Sequence, residues 1–490
     1  MSAAEASGLL SRLALSFGVN EAALRLLLSI FAGYGVAYLY HKFIIQQSDK
    51  RVHHAYFAAS GFLLCLFNFG FSAYHSFTAI ATTYLLTRFL RSAPMPLKII
   101  NFTFHMTYLL VGYYYTESDE YDILWTMPHC VLVLRLIGYG FDVTDGLKKQ
   151  EELSKEQKEC AIAELPTAIE LFAFAYFPGS FLIGPQFPYR RYKRFIDGEF
   201  GEHGGRLEAS LKRMAIGVVY LTISQVGAIY FPDSYFVSDD YPKASFFWRL
   251  VYMGVWAKVI IYKYVACWLL TEGALINLGI SYAGKKENGE NDWSGCSNVN
   301  LMILETECTM QHYVHSFNIN TNHWLGQYVY KRLKFLNNRT ISYAAALGFL
   351  AVWHGFHSGY YMAFLNEYMT VTVEKQFASV WAKTNIDMYA DIVSPPFVYP
   401  VLKYFMKKLY DLFFIGWCMT PFILLDYSRW MKAYSAIYYC VIVYVILWTI
   451  FYQTFKYYER AAKRRQHDST FGRATTLSPT VDGKSDEKRD

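Results

Sequence analysis

The sequence predicts an all-α polytopic membrane protein, and three observations lead there. Of 490 residues, 54% are hydrophobic and 18% are charged, which leaves too few polar side chains to cover a soluble chain of this length. Aromatic residues reach 19%, and Tyr and Trp gather where apolar helices meet the membrane–water interface. Apolar windows recur at 22–40, 54–71, 73–90, 97–115, 124–141, 166–186, 212–231, 246–282, 341–366, 406–426 and 434–455. Each is near the ~20 residues that cross a bilayer as a helix. About eleven transmembrane helices are expected, with 246–282 long enough for two.

Taken in order, residues 1–20 alternate small, polar and apolar groups without a basic stretch leading into a compact apolar core. No cleavable signal peptide is expected, and the first window serves as its own insertion signal. Residues 21–455 are treated as one membrane domain, since no internal repeat is visible. Polar stretches at 144–160, 195–210 and 284–300 are loops, some with short interfacial helices. In 300–340, Trp324, Tyr328 and Tyr330 mix with Lys and Arg, a pattern suited to helices lying against the bundle and lining a wet cavity. Past Phe455 the composition turns to Arg, Lys, Asp, Ser and Thr, so 456–490 is expected to be a largely disordered tail.

The net charge of +6 is carried in part by patches beside windows: Arg190, Arg191, Lys193 and Arg194, then Lys331, Arg332 and Lys334, then Arg460, Lys463, Arg464 and Arg465. Such flanks mark the cytosolic side, which places the C-terminal tail in the cytosol. Separated by apolar windows, they do not make a nucleic-acid surface. The eight cysteines are scattered without a close pair and read as free, packed thiols.

The chemistry concentrates in the 341–366 window, at Trp353-His354-Gly355-Phe356-His357-Ser358-Gly359. In one helix starting at Ile341, His354 lies roughly 20 Å along the axis, near the middle of a core about 30 Å thick. An ionisable group at that depth marks function, although a packed core histidine is the bland alternative. Desolvation keeps an imidazole without an anionic neighbour neutral, so it is available as a base.

Other chemistries fit the same residues less well. His312/His315 and His354/His357 have the i, i+3 spacing of metal ligands, with His323 between them. A membrane di-iron enzyme, however, needs many clustered histidines, and the one doublet, His53-His54, is expected in a loop far upstream. Ser358 lacks the G-x-S-x-G elbow of a serine hydrolase, and no paired halves suggest a transporter.

A second polar segment, Ser316-Phe317-Asn318-Ile319-Asn320, places Asn318 36 residues before His354. Here the chain resembles the membrane-bound O-acyltransferase family, whose marker is a Trp-His-Gly histidine with an upstream Asn. Within it the resemblance is closest to the endoplasmic-reticulum enzymes that acylate lysophosphatidylcholine. Trp125-Thr126-Met127-Pro128-His129-Cys130, Gly184-Pro185-Gln186-Phe187, Tyr262-Lys263-Tyr264-Val265, Lys331-Arg332-Leu333-Lys334-Phe335-Leu336 and His357-Ser358-Gly359-Tyr360 carry the likeness through residues 20–455. Glu305-Thr306-Glu307-Cys308 departs from it.

The resemblance implies a helical bundle around a central reaction chamber, with acyl transfer from acyl-CoA to a lysophospholipid, foremost 1-acyl lysophosphatidylcholine, and a polyunsaturated acyl chain. His354 would be the general base and Asn318 an orienting or oxyanion group. Trp353, His357, Tyr360 and Tyr328 would line the pocket, and Lys331, Arg332 and Lys334 would meet the CoA phosphates, though the same cations serve equally as membrane anchors. It implies no metal and no cofactor, acyl-CoA being a co-substrate. The partners are acyl-CoA, lysophospholipid and the bilayer of the endoplasmic reticulum; a homo-oligomer is left open. A relative acylating a protein or a sterol is the nearest alternative.

Overall fold

A computed structural model describes residues 8–16, 18–116, 123–384, 387, 395 and 397–475. Apart from a two-stranded hairpin pairing Gly284–Lys285 with Asn291–Asp292, its regular structure is helical. Five helical stretches among the described residues are long and apolar enough to cross a membrane: Glu21–Ile44, Lys50–Phe89, Arg206–Val237, Phe246–Leu278 and Cys440–Arg465. Exposed Val218, Val219, Ile229, Leu447 and Ile450 on two of them form the kind of apolar surface that lipid covers.

Local signals set the helix ends. Asn20 and Asp49 accept from the N–H two residues on, opening the Glu21–Leu39 and Lys50–Phe69 helices, which satisfies backbone donors that no intrahelical carbonyl reaches. Phe246–Leu278 begins at a Ser245 cap and ends at Gly279 in the left-handed region.

That helix is the centre of the molecule. It packs against Arg206–Tyr230, Val398–Leu424 and Glu21–Leu39, and 72% of its apolar window is buried. It crosses Val398–Leu424 at two glycines: a Cβ on Gly416 would sit 2.8 Å from the Gly254 nitrogen. Small residues at such a crossing let two backbones approach without a polar cost in lipid.

Five of the windows take forms the sequence did not predict. The 246–282 stretch is one helix, not two. The 124–141 window becomes Thr126–Asp145, a helix buried along most of its length rather than facing lipid. The 166–186 window holds only the short helix Ala168–Ala175. Pro178, Gly179, Gly184 and Pro185 break the rest, and buried Arg135 gathers its carbonyls, donating to Phe174 O at 2.9 Å and Ala175 O at 3.0 Å. The 341–366 window is split into Arg339–His354 and Ser358–Trp381. The last window starts Cys440–Thr475, a helix that passes the composition change at 455 unbroken. Good helix formers and the Glu459 carboxylate, 2.6 Å from Lys383 Nζ and 3.0 Å from Lys456 Nζ, carry it into the segment expected to be disordered. Residues 476–490 lie outside the described residues.

Three apolar clusters form the interior. The first joins Leu26, Phe57, Phe174 and Leu270; the second joins Trp256, Trp417 and Tyr434; the third joins Leu109, Trp324 and Trp353. The main cavity lies where all three meet.

Candidate active site

His354 is the last residue of its helix, not the middle of a span. Gly355 follows at φ 119° and ψ −158°, a conformation open essentially to glycine alone. It turns the chain through Phe356 to His357, the N-cap of Ser358–Trp381. Irregular backbone within a membrane domain is tolerated where it lines a cavity. The second helix is locked in place because Gly359 N donates to Leu425 O at 2.9 Å and Trp430 Nε1 donates to Ser358 Oγ at 3.1 Å. A Cβ on Gly359 would overlap Pro421 O.

Aromatic packing holds the imidazole. The rings of Trp353, Tyr360, Phe364 and Phe422 lie with centroids 4.6, 5.2, 5.5 and 5.0 Å from it. Trp353 is pinned in turn, donating to Cys130 O at 2.9 Å. Among the described residues no protein group is hydrogen-bonded to the ring nitrogens of His354, and the residue lines the cavity.

Asn318 reaches the same cavity from a different direction. It precedes the short helix Ile319–Leu325 in the left-handed region at φ 51°, which Asn tolerates better than most residues. At the N-cap position its side chain caps nothing; Asn298 Nδ2 instead donates to its Oδ1 at 3.3 Å. The amide orientation of Asn298 is forced, because its Oδ1 accepts from the Asn320 backbone N–H at 3.0 Å and from Asn320 Nδ2 at 3.1 Å. With that oxygen committed, Asn298 has only its NH2 to offer, so Asn318 answers with oxygen and keeps its own NH2 for the cavity.

Beneath this lies a buried ion pair. Glu272 Oε1 accepts from the backbone N–H groups of Asn298 and Val299, at 2.7 and 3.1 Å, while its Oε2 takes Arg213 at 2.5 Å. The asparagine pair is thus tied to two long apolar helices.

The cavity measures about 1,120 Å³, at the top of the range for small-molecule sites and suited to long flexible ligands. His354, His357, Trp353, Tyr360 and Asn318 all line it. Tyr328 does not: it is buried in the third cluster and donates to Asp142 at 2.8 Å. The basic trio also lies elsewhere. Lys331 pairs with Glu156 at 2.7 Å, Arg332 forks onto Asp145, and Lys334 is exposed. Lys263 is the one Lys or Arg on the wall among the described residues.

Three of the other histidines, His312, His53 and His54, have structural work. His312 Nδ1 accepts from Thr309 N at 3.1 Å, capping its own helix. Burial first, and Lys258 beside it, push its imidazole down to about 4, so it stays neutral. The His53-His54 doublet lies in a helix, not a loop, bonded to Tyr40 and Tyr192. Among the described residues no group of three or more His, Cys, Asp or Glu is disposed to hold a metal ion. All eight cysteines are free. The divergent Glu305 accepts from Tyr220 and Tyr262 at 3.0 and 3.1 Å and is not on the cavity wall.

Asn298, Glu272 and Lys263 were not singled out from sequence. A signal for the first exists: Asn298-Val299-Asn300 repeats the Asn-x-Asn pattern of Asn318-Ile319-Asn320. A signal for the second is an acid inside an apolar window, matched by Arg213 in another.

The sequence pattern of the membrane-bound O-acyltransferase family matches residues 110–415, which contain both His354 and Asn318. A lysophospholipid acyltransferase 5 of Drosophila melanogaster is 55% identical over 459 residues, covering 94% of this chain and 92% of that protein. The Homo sapiens protein of the same name is 39% identical over 436 residues, 88% of each chain. A lysophospholipid acyltransferase of Saccharomyces cerevisiae is 27% identical over 409 residues, 75% of this chain and 64% of that one.

Proposed function

The chain belongs to the membrane-bound O-acyltransferase family, and from that premise we propose that it transfers an acyl group from acyl-CoA to the free hydroxyl of a lysophospholipid. The observation that carries this reading is the convergence of His354 and Asn318, from separate segments, on one cavity of about 1,120 Å³. The names of its relatives supply the substrate class.

In this reading the His354 ring nitrogen accepts the glycerol hydroxyl proton as the oxygen attacks the thioester carbonyl in a ternary complex. General-base help of this kind contributes about 10²–10⁴ in rate. Negative charge gathers on the carbonyl oxygen, and the free NH2 of Asn318 donates to it. The C–S bond then breaks, the imidazolium returns its proton to the departing thiolate, and the products are a diacyl phospholipid and CoA. The hydrogen bonds around Asn298 favour a donor role for Asn318 over an acceptor role. The aromatic walls take the place of the carboxylate that orients many catalytic histidines.

Lys263 replaces Lys331, Arg332 and Lys334 as the cation offered to acyl-CoA phosphates, since those three lie off the wall. The finer reading is a 1-acyl lysophosphatidylcholine acceptor with a polyunsaturated donor, in the endoplasmic-reticulum membrane with the C-terminus cytosolic. The test is release of CoA thiol from arachidonoyl-CoA and palmitoyl-CoA with lysophosphatidylcholine, using purified protein beside His354→Ala. Thiol release that needs the lysolipid and is lost in the variant supports the reading. Equal release from wild type and variant defeats it.

A further inference from the structure

Glu367 is the one acidic side chain on the cavity wall among the described residues. No hydrogen bond or ion pair from a described residue meets it, and burial is the dominant influence on it. The other buried acids near the centre are all supplied: Glu272 has Arg213, Asp411 has Lys258 at 3.8 Å, and Asp145 has Arg332. A carboxylate walled by apolar groups is costly unless a cation or donors meet it. Here the protein supplies neither, and the side chain faces the substrate chamber.

Its position relative to His354 is set by two helices. On Ser358–Trp381, Phe364 packs 5.5 Å from the His354 ring, and Glu367 follows three residues later on the same face. On Val398–Leu424, Phe422 packs 5.0 Å from that ring, and Cys418, four residues before it, lines the same cavity as Glu367. Glu367 is therefore about 4.5 Å along the helix axis beyond Phe364 in the aromatic layer around the base. Phe364, Phe422 and Tyr360 also line the cavity, and aromatic faces attract onium groups.

Of the two substrates proposed above, only one carries a cation. CoA is polyanionic and the acyl chain is neutral. A choline or ethanolamine lysophospholipid bears its nitrogen one phosphodiester and one short carbon arm from the glycerol that carries the reacting hydroxyl. Resting on the acyltransferase reading, we infer that Glu367 is the head-group residue: its carboxylate binds the alkylammonium of a zwitterionic lysophospholipid while the hydroxyl sits at His354. The same charge repels CoA phosphates, so it also sorts the two substrates to opposite ends of one chamber.

The test uses the full chain in membranes at saturating acyl-CoA, with lysophosphatidylcholine, lysophosphatidylethanolamine and the cation-free lysophosphatidylglycerol. For Glu367→Gln the KM for the two cationic acceptors rises about 10-fold, while the KM values for lysophosphatidylglycerol and acyl-CoA stay level or fall. Glu367→Asp keeps the wild-type ranking, and Glu367→Lys reverses it toward lysophosphatidylglycerol. An equal loss on all three acceptors, or a shift confined to acyl-CoA, overturns the assignment. A wild type inactive on every lysophospholipid defeats the acyltransferase reading itself, and the head-group role with it.

Discussion

Asn298 fixes the hydrogen-bonding face of Asn318, and this gives a sharp expectation for single atoms. Asp at 298 offers only oxygens: one still meets the Asn320 N–H, and the other faces Asn318, which must turn its NH2 inward and show its carbonyl oxygen to the cavity. Asn298→Asp should therefore lower kcat by about 10²–10³, the usual cost of one oxyanion donor. Both KM values should stay within about threefold, since substrate binding is untouched. Asn318→Asp should match it. A kcat near wild type in Asn298→Asp would mean that Asn318 does not act as a donor. His354→Ala should cost about 10²–10⁴ in kcat. His354 is legible in sequence because a polar ring in an apolar window is conspicuous. Asn298 is not, because its meaning depends on a partner 20 residues away in a stretch where polar side chains are ordinary.

At the scale of elements, the break between Arg339–His354 and Ser358–Trp381 decides the site. Gly355→Ala places a Cβ at φ 119°, a strain of about 1–3 kcal/mol, and should lower Tm while shifting the imidazole. Gly359→Ala meets the Pro421 carbonyl and should pry the second helix off its seat at Leu425. Both should reduce the folded yield and the thermal midpoint in detergent; full stability of Gly359→Ala would contradict the close seating. Apolar composition alone reads 341–366 as one continuous span, because hydrophobicity records what can sit in lipid and not where the backbone turns. The same blindness makes 166–186 look like a span. The available signals are Gly355 and Gly359 in the first window and Pro178, Gly179, Gly184 and Pro185 in the second.

At the scale of the molecule, the basic trio and Lys263 separate anchoring from binding. Arg332→Ala leaves Asp145, whose side chain is 1% exposed, without its main partner. The expected result is a loss of about 3–5 kcal/mol, seen as a lower Tm, with little change in the acyl-CoA KM. Lys263→Ala should do the reverse, raising the acyl-CoA KM several-fold at unchanged Tm. If neutralising Arg332 raises that KM while Lys263 is silent, the original assignment of phosphate contacts to 331–334 is restored. In sequence, the trio suggests phosphate contacts because it is a basic flank that a polyanionic CoA would meet. Its carboxylate partners, 175 and 187 residues away, could not be read from a linear chain.

The amino-acid order by itself determined a helical membrane protein with a histidine conspicuous in an apolar window and an asparagine upstream of it. Those facts depend on residue type and apolar run length, which are local. The three-dimensional packing decided which windows fold as single long helices, where the helix stops at His354, which amide face Asn318 presents, and which charges reach the cavity. Each of these is a relation between segments far apart in the chain, fixed by hydrogen bonds and close contacts that exist only once the helices have met.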